Sequence, residues 1–97
     1  MHRALLERRI RDVHTRLLRA REELAVLDEQ LAVVMDSADD ARVRALVSET
    51  PLATHEHSEA ARHADAMVKA RVALASTVSA LEKKQDELLS DVATGRS

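Results

Sequence analysis

Cysteine, phenylalanine, tyrosine and tryptophan are absent, and glycine and proline occur once each. Each absence removes a class of protein. Without cysteine there is no disulfide scaffold, no thiol chemistry and no zinc–cysteine site. Without aromatic rings there is no stacking platform for single-stranded nucleic acid. One glycine and one proline cannot supply the turns of a β-sandwich or barrel. Long apolar runs are missing too. The longest uncharged stretch, 72–81, contains Ser76, Thr77 and Ser79 and is too short to span a membrane. The first residues, Met1 to Arg9, carry charge in every turn and do not read as a targeting segment. A cytoplasmic location is the expectation, since a chain without cysteine suits a reducing compartment. The 97 residues suffice for a single domain.

What is present is helix-forming. Ala (17) and Leu (13) dominate, and a third of the residues are charged. From Leu6 an apolar seam alternates in steps of four and three through Ile10, Val13, Leu17, Ala20, Leu24, Leu27, Leu31, Val34, Ala38, Ala41 and Ala45. A second runs through Ala53, His57, Ala60, Ala64, Met67, Arg71, Leu74, Val78, Leu81, Gln85, Leu88 and Val92. Together 21 of these 24 positions are apolar, against 45% for the whole chain. A seven-residue repeat held this long predicts a coiled-coil seam.

Between the seams stands Ser48-Glu49-Thr50-Pro51. Thr50 suits a helix N-cap and Pro51 the first helical position. Pro51 also bars Thr50 from helical geometry. The spacing therefore predicts a single all-α hairpin domain: helix 2–48, turn 48–51, helix 51–93 and a frayed tail 94–97. So short a connection makes the helices antiparallel neighbours. Leu6 then opposes Val92, Leu17 opposes Leu81, Leu31 opposes Met67 and Ala45 opposes Ala53. Flanking charges pair Arg9 with Asp91, Arg44 with Glu56 and His14 with Glu82. Arg16 is set unfavourably against Lys84. One alternative is local. Ser37-Ala38-Asp39-Asp40 reads as a helix start, which would break the first helix near 36–37 and give three helices.

A two-helix seam buries little, and apolar residues remain beside it. One flank carries Leu18, Ala25, Ala32, Met35, Ala61, Val68, Val72, Ala75 and Leu89. The other carries Val26 and Val33 with Ala66, Ala70, Ala73 and Ala80. The first flank is the candidate protein interface, and a dimeric four-helix bundle is the expected assembly. The plainer reading is alanine chosen for helix propensity. Three polar seam residues, His57, Arg71 and Gln85, are candidate register-setting positions. Arg71 can reach Asp28 or Glu23.

Charge is uneven. Residues 1–21 carry a balance of +5, residues 22–65 of −8 and the rest of +1. Arg3, Arg8, Arg9, Arg11, Arg16 and Arg19 are candidates for an anionic partner such as nucleic acid. Against this, they spread over several helix faces. His55, Glu59 and His63 recur every fourth residue, but on an open face they read as exposed residues rather than metal ligands. Asp36-Ser37-Ala38-Asp39-Asp40-Ala41 resembles the D-x-x-D-x-A tip motif of bacterial RNA polymerase secondary-channel factors, which are coiled-coil hairpins with acidic tips. The resemblance covers six residues. It departs from that family because the motif lies about three turns before the turn of this hairpin.

No glycine-rich phosphate loop, cysteine nucleophile or Ser–His–Asp set is legible, so neither catalysis nor a cofactor, metal or small-molecule substrate is expected. The reading is a non-enzymatic structural or adaptor coiled coil working through another protein or itself. The alternative is a binder of an anionic partner through the N-terminal arginines. Twelve arginines against three lysines, with the high alanine content, suggest a GC-rich bacterial genome.

Overall fold

A computed structural model describes residues 3–95. It contains two long helices, α1 (Arg3–Ser48) and α2 (Pro51–Ala93), joined by Glu49 and Thr50, and no strand among the described residues. This is the helical hairpin that the two seams predict. The three-helix alternative does not occur, because α1 runs unbroken through Ser37. Ala38 is half-buried and Ala41 buried, so the seam carries the helix through the local start signal. Met1, His2, Arg96 and Ser97, to which the expected first helical residue and end of the tail belong, lie outside the described residues.

The turn follows from its residues. The Glu49 amide donates to the Ala45 carbonyl (3.2 Å) in a last helical turn. Glu49 then adopts φ of 50°, the left-handed conformation that commonly ends a helix. The Thr50 hydroxyl accepts from the Ala53 amide (3.1 Å), capping α2, and Pro51 takes the first helical position, where no amide is needed. At the far end of α2, Gly95 supplies φ of 75° and its amide donates to the Val92 carbonyl (3.2 Å).

Burial tracks the seams. All 24 seam residues are buried or half-buried. Outside them, only Ala61, Ala75 and Asp91 escape full exposure among the described residues.

The chain divides into two compact units. One comprises residues up to 24 and from 73 onward, the other residues 25–72. The first has a core of Leu6, Val13, Leu17, Ala20, Val78, Leu81 and Leu88, with Ile10, Leu24, Leu74 and Val92 packed on it. Leu17 is fully covered and Leu6 is 1% exposed. Burying such a side chain stabilises by about 1.5–3 kcal/mol. In the second unit the buried residues are Ala41, Ala53 and Ala64, all alanines, while Leu27, Leu31, Val34 and Met67 are half-buried.

Candidate protein-contact surface

Surface chemistry separates the units further. Among the described residues, nine of the twelve exposed large apolar side chains lie within 25–72; the exceptions are Leu5, Leu18 and Leu89. A unit whose core is three alanines thus leaves Val26, Val33, Met35, Val43, Leu46, Val47, Leu52, Val68 and Val72 in water. The reason is geometric. Each helix has one seam facing its partner, and the apolar residues on either side of that stripe have nothing to pack against.

The candidate flank falls in both units. In 25–72 it comprises Ala25, Ala32, Met35 (44% exposed), Val68 (41%) and Val72 (62%), with Ala61 half-buried. In the other unit it comprises Leu18, Leu89 and the half-buried Ala75. On the opposite side of 25–72, Val33, Val34, Gln30, His63 and Met67 line an open groove of about 360 Å³. The sequence reading missed a further patch beside the turn, formed by Val43, Leu46, Val47 and Leu52. Its signal was Val43, the one apolar residue in an otherwise polar outer row, with Leu46 and Val47 three and four residues on.

The polar seam residues are each in a different situation. Arg71 leaves the seam to bind Asp28 with Nε on Oδ1 and Nη2 on Oδ2 (3.5 Å for the latter), both side chains remaining over 40% exposed. Gln85 Nε2 lies 3.0 Å from His14 Nδ1. His57 keeps Nδ1 buried without a hydrogen-bond partner. The expected His14–Glu82 pair does not form. Glu82 takes Arg21 instead (3.4 Å), whose longer guanidinium arm reaches across the helices while His14 is held by Gln85.

The N-terminal arginines do not converge. Arg3 pairs with Glu7 (3.3 Å), and Arg9 is engaged. Arg8, Arg11, Arg16 and Arg19 are exposed and occupy four different heptad rows. Arg16 and Arg19 share a small open groove with Glu23, whose carboxylate lowers its appeal to an anion. Among the described residues no three His, Asp or Glu side chains gather as metal ligands. Glu59, the middle of the histidine series, is held by Arg62 (3.0 Å). Asp36 and Asp39 are exposed in the last third of a continuous α1, ten or more residues before Glu49. No described helix is long and apolar enough to cross a membrane.

Comparison with protein-family models, with curated proteins and with solved structures finds no match for this chain.

Proposed function

We propose that this chain is a non-enzymatic structural or adaptor hairpin that works by covering its apolar flank with another protein surface, its own copies included. One observation carries the reading: within residues 25–72, nine large apolar side chains are exposed around a buried core of three alanines, Met35, Val68 and Val72 of them on this flank. Exposed apolar patches on small proteins mark interaction sites. A bacterial, cytoplasmic setting agrees with the arginine bias and the missing cysteine.

The test is the size of the chain's assembly in an extract of its own cell, read by native electrophoresis. The wild type should migrate as a complex, and Val68→Glu with Val72→Glu should release the single chain. A wild type already migrating as a single chain sinks the proposal.

A second reading, an anionic partner, rests on Arg8, Arg11, Arg16 and Arg19, exposed and without an ion-pair partner among the described residues. It predicts a nucleic-acid shift at low salt that weakens as salt rises and in an Arg8→Ala/Arg11→Ala/Arg19→Ala variant. No shift at low salt removes it.

A further inference from the structure

The proposed contact surface can be given an occupant. We propose that residues 25–72 dimerise with the same residues of a second copy, through the flank of Ala25, Ala32, Met35, Val68 and Val72, with the two turns at the same end of the dimer. The inference rests on the protein-contact reading above.

Three observations select a second copy. First, the need is intrinsic. Two helices with three buried alanines between them and no large side chain fully covered make a thin core. Cover for so thin a core is best supplied by a partner always present in equal amount. Second, the flank offers small and medium apolar residues on both helices, so it can pack on itself around a two-fold axis. Of the charges on that face, Asp28 is already neutralised within the chain by Arg71.

Third, the outer-row charges that border the flank are complementary in one arrangement only; Asp39, Arg42 and Asp65, exposed on the flank's own rows, do not belong to this set. The outer row of α1 presents Glu29 and Asp36, and that of α2 presents Arg62 and Lys69, all exposed. The Asp28–Arg71 contact sets Glu29 level with Lys69, and Asp36 level with Arg62, to within about one residue. A two-fold axis parallel to the helices lays α1 of one copy on α2 of the other. It then brings Glu29 beside the partner's Lys69 and Asp36 beside the partner's Arg62. The other two-fold, perpendicular to the helices, lays α1 on α1 and sets acid against acid. Arg62 already contacts Glu59 and Ser58, but these are local contacts and its side chain is 71% exposed. The complete set is four ion pairs per dimer, enough to choose an arrangement although each alone is weak.

The experiment measures the dimer dissociation constant of the purified full chain by sedimentation equilibrium, from micromolar to millimolar concentration. Circular dichroism of every variant reports its helix content. The wild type should dimerise. Val68→Glu with Val72→Glu should weaken the dimer more than about tenfold by burying charge in the contact. Glu29→Lys with Asp36→Lys should weaken it about tenfold, as should Arg62→Glu with Lys69→Glu, and all four substitutions together should restore it to within about threefold. The charge variants touch no buried residue, so the proposal stays testable even where the Val68/Val72 variant unfolds. A wild type monomeric at every concentration overturns the second copy as occupant. If the chain still runs as a complex in the cell extract, the protein-contact reading survives; if it runs alone there too, both fall. A dimer indifferent to the Val68/Val72 change overturns the face. Charge variants without effect, or without rescue on combination, overturn the turns-together arrangement.

Discussion

The two units share both helices and the heptad, yet one buries leucines and the other alanines. Residues 3–24 with 73–95 cover Leu6, Leu17, Leu81 and Leu88, whereas residues 25–72 cover Ala41, Ala53 and Ala64. An identical seam pattern therefore buries side chains of very different size. Periodicity decides where a helix faces its partner; side-chain volume decides how much area leaves water. In residues 25–72 the large seam residues Leu27, Leu31, Val34 and Met67 are only half-buried, and nine further large apolar residues lie outside the seam.

The sharpest way to break this contrast is a matched pair of truncations. Leu17→Ala, at a fully covered site, should cost about 2–5 kcal/mol. Leu31→Ala, at the equivalent seam position of the other unit, is only half-buried and should cost about half as much or less. Urea unfolding of the two variants decides it, and equal losses would end the contrast. Within 25–72, His57→Leu removes a buried nitrogen that has no partner and fills the seam with an apolar side chain. It should raise stability by about 1–2 kcal/mol, and a lower melting temperature would mean that His57 has a partner in solution. Thr50→Ala deletes the cap on α2 and should cost about 1 kcal/mol, with hydrogen exchange accelerating first at the Ala53 amide. Smallest of all, Arg71→Leu exchanges a half-exposed ion pair for seam area. A gain of about 0.5–1 kcal/mol is expected by thermal melting. A loss there would assign the Asp28–Arg71 pair a stabilising role.

The backbone was legible because few signals compete in this chain. Twenty-four seam positions, one proline and one threonine cap suffice for two helices and their turn. The unbroken passage through Ser37 was less legible, since a local start signal there is overridden by Ala38 and Ala41 facing α2. Side-chain reach was not legible. Position alone pairs Glu82 with His14, but arm length gives it to Arg21. The patch of Val43, Leu46, Val47 and Leu52 escaped because its residues occupy three rows that elsewhere are polar or mixed. Only the structure shows that all four, near the turn in sequence, are exposed.

The two-residue connection at Glu49 and Thr50 also sets an order of events in time. Contacts near it close short loops, while bringing Leu6 near Leu88 from an open chain closes a loop of about 80 residues. The half that forms most easily is thus the half with least to gain, and the half with most to gain waits for it. Folding speed should therefore answer to substitutions near the turn, and the lifetime of the folded chain to those in the leucine core.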